Sequence, residues 1–250
     1  FVYTLKATTL KYIGVMVLSV VAVVLTVALV PSTSMSKYRS EEVETVAKTG
    51  DFKNIKTINL DEYLLGVVSA EMPATFEQEA LNAQAVVART YTIYTIEHSN
   101  GKHGEAHICD DSGCCQAWIT KEDRLARWEE DVREENWTKI ETAVYSTKGK
   151  IATYNGEAID AFFFSYSGGK TEAVVNVWGG NNFPYLQSVE TAGEDEYSQY
   201  ESEVTLNKSE FEEKIKSSHS DFSINYNEEN CIQVLEYTEG DRVKTIKIGN

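Results

Sequence analysis

In Ser69-Ala70-Glu71-Met72-Pro73 a glutamate stands two residues before a proline. Leu64, Leu65, Val67, Val68 and Met72 fall at helical intervals, so the spacing predicts a helix over Asn59–Met72. Pro73 disfavours helical geometry at the residue before it, which ends that helix at about Glu71 or Met72. A carboxylate at a helix C-terminus meets the partial negative charge of the helix end. Apolar neighbours such as Val68 and Met72 would also strip water from it. Both effects raise a carboxyl pKa, and an acid kept protonated near neutral pH is what general acid catalysis requires. A plain surface glutamate is the competing reading, and local physics alone leans toward it.

A second group of reactive residues lies in His103-Gly-Glu-Ala-His107-Ile-Cys109-Asp-Asp-Ser-Gly-Cys114-Cys115. Imidazole and thiolate together suit zinc. A disulfide is the alternative if the compartment is oxidising. Pairing within the cluster leaves an odd thiol, with Cys231 the only distant partner, so the arithmetic favours a metal. A site with four protein ligands would be closed and structural, whereas catalytic zinc needs an open position and a nearby base.

The elements that must position these groups are legible in outline. Thr75-Phe76-Glu77-Gln78 has the capping-box pattern and predicts a long helix from there to roughly Glu97. Its small residues Ala80, Ala83, Ala85 and Ala88 suit close approach to neighbours, which marks it as central. From Lys121 to Ser146 the pattern is helical again, through Leu125, Trp128 and Val132, then Trp137, Ile140 and Val144. Asn155-Gly156 predicts a tight hairpin between Lys150–Tyr154 and Glu157–Phe164. A second hairpin is predicted from Cys231–Tyr237 and Arg242–Ile248 around Glu239-Gly240-Asp241. Helices first and antiparallel strands later define an α+β fold. The last strand runs nearly to Asn250, and the expectation is that the C-terminus is incomplete.

The chain of 250 residues carries a formal charge of −16. Lys6 and Lys11 are the only charges before Pro31, so the chain from Pro31 onward carries −18, two more negative than the whole. Such a domain repels phosphate backbones and anionic membrane surfaces, which argues against nucleic acid as a partner. Tyr12–Val30 contains no charge and is long enough to cross a bilayer as a helix. A cleaved signal peptide has a shorter apolar core and a small-residue exit, unlike Leu29-Val30-Pro31-Ser32, so an uncleaved anchor is expected. Lys6 and Lys11 before the run face Lys37 and Arg39 after it, which leaves the orientation weakly biased. An external domain is the simpler topology. The expected organisation is a cytoplasmic N-terminus over 1–11, an anchor over 12–30, a polar linker over 31–54 and a folded domain over 55–250.

Leu60-Asp61-Glu62-Tyr63-Leu64-Leu65-Gly66-Val67-Val68-Ser69-Ala70-Glu71-Met72-Pro73, with Glu79-Ala80-Leu81-Asn82-Ala83-Gln84-Ala85-Val86-Val87-Ala88-Arg89-Thr90-Tyr91, resembles the stage II sporulation protein D (SpoIID) family. Phe163-Phe164-Ser165-Tyr166-Ser167-Gly168-Gly169-Lys170-Thr171-Glu172 resembles that family's second signature, a Ser/Gly-rich turn after a strand. The resemblance covers roughly Ile55 to Pro184. It implies a lytic transglycosylase acting during engulfment in endospore formation, at the mother-cell membrane facing the septal wall. Such enzymes cut between N-acetylmuramic acid and N-acetylglucosamine in peptide-stripped strands and leave 1,6-anhydro ends. The resemblance assigns the catalytic role to Glu71 and glycan binding to Arg89 and Lys170. It maps a zinc set onto His103, Cys109, Cys114 and Cys115, with His107 in reserve. It also implies an amidase partner, SpoIIP, and a membrane partner, SpoIIM. Gln84 reads equally as a core hydrogen bonder or a functional group, and Tyr166 and Ser167 as sugar contacts or turn residues. Asn82 and Phe164 depart from the basic residue and the histidine or serine common in relatives. Related domains also occur in amidase-enhancer proteins, so a non-catalytic wall-binding module is the alternative. The retained Glu-Met-Pro separates the two, because a binder needs no acid there.

Overall fold

The computed structural model describes residues 4–6, 45–47, 56–98, 100–104, 106–164, 166–194 and 202–249. The expected cytoplasmic segment (apart from 4–6), the anchor at 12–30 and most of the 31–54 linker lie outside them. Among the described residues no helix is long and apolar enough to cross a membrane. The chain divides into two compact units, the first Val17–Ser165 and the second Tyr166–Asn250 together with Phe1–Met16. Helices are mixed with small two-stranded antiparallel sheets, the α+β composition expected.

In the first unit, strand β2 (Thr45–Ala47) pairs with β3 (Lys56–Ile58), which leads into helix α1 (Leu60–Glu71). Asn59 caps α1 by accepting the Asp61 N–H at 2.9 Å, and Asp61 and Glu62 place negative charge in the first turn, where the helix dipole favours it. Met72 turns to extended backbone (φ −132°, ψ 135°) before Pro73, so α1 ends as the sequence predicts. Every residue from Tyr63 to Ser69 is buried. A helix enclosed on all sides is the centre of its unit, and that centre is α1 rather than the small-residue helix after it.

This second helix, α2 (Gln78–Glu97), does not begin with the predicted capping box. Glu77 is the N-cap without a side-chain cap bond, and Pro73-Ala74-Thr75-Phe76 forms a turn closed by Phe76 N–H on Pro73 C=O at 3.1 Å. Thr75 lies inside this turn, before the helix begins. The predicted helix over 121–146 is broken as well. Helix α3 (Lys121–Ala126), capped by Thr120, gives way to a 3₁₀ turn (Glu130–Val132) and then α4 (Arg133–Ser146). Leu125, Trp128 and Val132 keep helical spacing, yet the break falls among them, between Ala126 and Arg133, so the apolar period alone does not reveal it. α1, α2 and α4 pack together around Tyr63, Leu64, Val68, Leu81, Ala88, Ile140 and Val144.

One glycine lets this core close. A Cβ on Gly66 would stand 2.2 Å from Trp118 Nε1 and 2.7 Å from the Ile119 carbonyl, which is backbone and cannot swing away. Gly66→Ala is expected to lose roughly 1–3 kcal/mol of stability by overpacking. Urea denaturation checks this; an unchanged midpoint would refute the close approach.

Asn155 (φ 52°) and Gly156 (φ 86°) form the predicted hairpin turn. The strands are far shorter than predicted, β4 (Thr153–Tyr154) and β5 (Glu157–Ala158), because Ala152 N–H bonds the Thr90 hydroxyl of α2 at 2.9 Å instead of extending a ladder.

In the second unit, helix α5 (Val174–Trp178) comes after the Ser/Gly turn. Strand β6 (Glu203–Thr205) pairs with β1 (Thr4–Lys6). Helix α6 (Lys208–Lys216) opens with a reciprocal capping box between Asn207 and Glu210. The predicted second hairpin is present as β7 (Ile232–Tyr237) and β8 (Val243–Ile248), with register irregularities near Glu236.

Candidate active site and metal centre

Glu71 is the last residue of α1, between the fully buried Val68 and Met72. Its side chain is only partly exposed, and its Oε1 accepts the Ala117 backbone N–H at 2.6 Å. Burial pushes its carboxyl pKa up, and the Ala117 bond offsets part of that rise. The other oxygen makes no hydrogen bond among the described residues. One oxygen is thus fixed and the other is left to exchange a proton.

The segment that supplies Ala117 is fastened at successive residues. Gln116 Nε2 donates to Thr92 Oγ1 of α2 at 2.9 Å. Trp118 and the Ile119 carbonyl lie against Gly66 of α1. Cys115, two residues before Ala117, belongs to the cluster of His103, Cys109, Cys114 and Cys115, whose ligand atoms all lie within 4.8 Å of one another.

His103 Nε2 is 3.2 Å from Cys114 Sγ and 3.5 Å from Cys115 Sγ, and the two sulfurs are 4.0 Å apart. Tetrahedral zinc with metal–sulfur bonds of about 2.3 Å needs donor separations of about 3.6–3.8 Å, which small side-chain shifts in this set would reach. His103 Nδ1 faces the His107 carbonyl oxygen at 3.2 Å, a bond that turns Nε2 to the sulfurs. His103 is therefore the histidine whose ring stands in the cluster, and His107 contributes its backbone carbonyl. All four cysteines are thiols, with no disulfide among them. Asp111 shapes the loop: its carbonyl accepts the N–H groups of Cys114 and Cys115, and its carboxylate that of Gly113. Burial pushes the Cys109 thiol up to about 12. Burial raises Cys114 too, but bonds from His103, Lys102 and the neighbouring thiols outweigh it and bring Cys114 to about 7.

Arg89, which the resemblance assigns to glycan, is placed elsewhere. It is 1% exposed, and its guanidinium donates to the carbonyls of Val144 (2.9 Å) and Thr147 (2.8 Å) while pairing with Asp61 at 3.4 Å. These carbonyls end α4, where a cation complements the helix dipole. Arg89 clamps three helices and presents no surface to a ligand. Gln84 is buried, and its Nε2 has no partner among the described residues.

In the second unit, Ser167 serves the turn rather than an open surface. Its N–H and hydroxyl, with the Gly169 N–H, converge on the Glu194 carboxylate at 2.9–3.1 Å. Gly168 (φ 73°) and Gly169 (φ 92°) supply the backbone angles for this nest. Arg242 donates to the Ser167 carbonyl from the turn of the second hairpin. Lys170 is one-third exposed (32%) and pairs with Asp241 at 3.7 Å, while Tyr166 is half-buried.

Glu194, Asp61 and Asp160 carry no motif that would have marked them. Burial raises Asp160 to about 6, with His98 acting against the shift. For Glu194 burial acts upward, but the donors of Gly169 and Ser167 prevail and hold the carboxyl below its usual range. A lowered pKa gives stability that is present above the ordinary carboxyl pKa and is lost as pH falls through the folded value. Glu194→Gln should therefore cost roughly 1.5–3 kcal/mol near neutrality, with the gap to wild type closing in acid. Thermal melts across pH test this; a gap independent of pH would refute it.

Together these features define an α+β domain in which a shielded carboxylic acid is tied, through one backbone hydrogen bond, to a loop whose His/Cys₃ cluster could hold a metal. Residues 48–154 match the family model SpoIID, Stage II sporulation protein, and this segment is a SpoIID-family domain. The chain is 37% identical over 164 residues to stage II sporulation protein D of Bacillus subtilis (strain 168), covering 65% of this chain and 47% of that protein. It is 36% identical over 163 residues to the protein of the same name from Bacillus amyloliquefaciens, with the same coverage. It is 37% identical over 123 residues to an amidase enhancer of Bacillus subtilis (strain 168), covering 49% of this chain and 14% of that protein. The chain spans about half the length of the sporulation proteins it matches.

Proposed function

We propose that this chain is a peptidoglycan lytic transglycosylase of sporulation, with Glu71 as its single acid–base group. The observation that carries the reading is the geometry of Glu71: shielded, raised in pKa, held at one oxygen and open at the other. Ordinary glycoside hydrolysis uses two carboxyl groups, one for the leaving group and one for water or the anomeric carbon. In a transglycosylase the sugar's own 6-hydroxyl attacks. One acid then protonates the glycosidic oxygen, and the resulting carboxylate takes the 6-hydroxyl proton as the 1,6-anhydro ring closes. The proton balance closes on one residue.

The His/Cys₃ set is a structural zinc site in this reading. It has four protein ligands and no open position, so zinc supplies rigidity to the loop and takes no part in bond cleavage. A zinc hydrolase is disfavoured on the same count. Lys170 and Tyr166 remain the proposed glycan contacts of the second unit, and the apolar Tyr12–Val30 run the proposed membrane anchor. The family name supports a role in sporulation, and the amidase-enhancer likeness supports cell-wall work. An amidase and a membrane protein of the same engulfment machinery are the proposed partners.

Digestion of purified peptide-free glycan strands, read by mass spectrometry, tests the chemistry. Products with 1,6-anhydromuramic ends are expected. Reducing ends would make the protein a hydrolase, and intact strands would leave the non-catalytic wall-binding module.

A further inference from the structure

The geometry points to a neutral saccharide-binding cleft in the second unit, built from amides and one tyrosine. The cleft has a volume of about 360 Å³ and is lined in part by Asn176, Asn182, Gln187, Glu236, Tyr237 and Lys244. That volume lies at the low end of small-molecule sites and suits one or two pyranose rings. Its amides are oriented before any ligand arrives. Gln187 Nε2 donates to Asn182 Oδ1 at 2.7 Å and to the Phe183 carbonyl. Asn176 Nδ2 donates to Glu172 Oε1 at 2.8 Å. Gln187 Oε1, Asn176 Oδ1 and Asn182 Nδ2 make no hydrogen bond among the described residues, which leaves two acceptors and a donor to meet neighbouring hydroxyls or an N-acetyl group.

The charge in the cleft disfavours a phosphate. Lys244 Nζ and Glu236 Oε1 pair at 2.6 Å, and Glu239, which lines the same cleft, leaves it one negative charge in surplus. A neutral, hydroxyl-rich ligand matches fixed amide dipoles better than an ion does. Tyr237 is 60% exposed on β7 and lines the same cleft, where its ring can cover the C–H face of a sugar while its hydroxyl stays wet. The cleft belongs to the second unit and Glu71 to the first, and its binding does not depend on the chemistry proposed at Glu71.

Isothermal titration of the full chain with tetra-N-acetylchitotetraose tests it. Tyr237→Ala and Asn182→Ala, both at exposed positions, should each weaken binding at least tenfold, while Glu71→Gln leaves that cleft component unchanged. Absence of binding to the wild type, or binding that neither cleft variant alters, would overturn the site. Loss seen only in Glu71→Gln would assign the sugar to the Glu71 groove and overturn it equally. Circular dichroism melts confirm that both cleft variants are folded.

Discussion

Glu71→Gln is expected to stop strand cleavage while leaving the fold as firm as before, or firmer at alkaline pH. Glutamine keeps an oxygen to accept the Ala117 N–H, so the hydrogen bond that orients residue 71 survives. What is lost is the proton. General acid–base catalysis typically contributes 10²–10⁴-fold, and here one group performs both proton transfers, so a loss of roughly 10³-fold or more is expected. The stability argument has the opposite sign. Burial raises the Glu71 pKa in the fold, so the folded chain holds a proton that the unfolded chain has already released. Wild-type stability therefore falls as pH rises from the ordinary carboxyl pKa through the folded value, and glutamine has no such slope. Melting both proteins across this range should show the variant gaining on the wild type as pH increases. Cleavage by the wild type should fade on the same rise, as the acid loses its proton. Residual cleavage near wild-type rates in the variant would remove Glu71 from the chemistry, and parallel melting curves would remove the raised pKa.

Glu71 is legible in the sequence because its constraints are local. Pro73, two residues on, ends the helix at Glu71, and the apolar spacing of α1 names the neighbours that shield it. The Asn155-Gly156 turn is legible for the same reason, since two positive φ angles are demanded within two residues. Arg89 shows where local reading stops. The resemblance assigns Arg89 to glycan, yet its acceptors are carbonyls 55 to 61 residues away, at Val144, Thr147 and Lys150. Only the packing of α2 on α4 brings them together. Ser167 repeats the lesson, because the carboxylate that fills its nest comes from Glu194, 27 residues further along the chain. The metal cluster falls between the cases. Its ligands are close in sequence, but the choice of His103 over His107 depends on a ring–carbonyl bond that no spacing encodes.

That bond makes the loop's dependence on metal testable. Stripping the metal with a chelator, or replacing Cys115 with serine, should loosen the segment that carries Ala117 and so weaken the acid without touching it. A site saturated about 1,000-fold above its dissociation constant stabilises the fold by about 4 kcal/mol. At about 2–4 °C per kcal/mol for a domain of this size, the melting temperature should fall by roughly 8–16 °C. Without a metal the Cys115 thiol keeps weak contacts to His103 and Cys114, and the approach to Ala117 then rests on the Asp111–Cys115 and Gln116–Thr92 bonds. Cleavage should drop as the Ala117 N–H drifts from Glu71, by about the 10–100-fold typical of losing a partner that orients a site. Elemental analysis of the reduced protein should give one zinc per chain for the wild type and little for Cys115→Ser. Protein that binds no zinc, or whose melting temperature ignores the chelator, would reduce the four ligands to a packed thiol cluster. Zinc loss that lowers stability but leaves the cleavage rate of the still-folded protein intact would keep the metal and break its connection to Glu71.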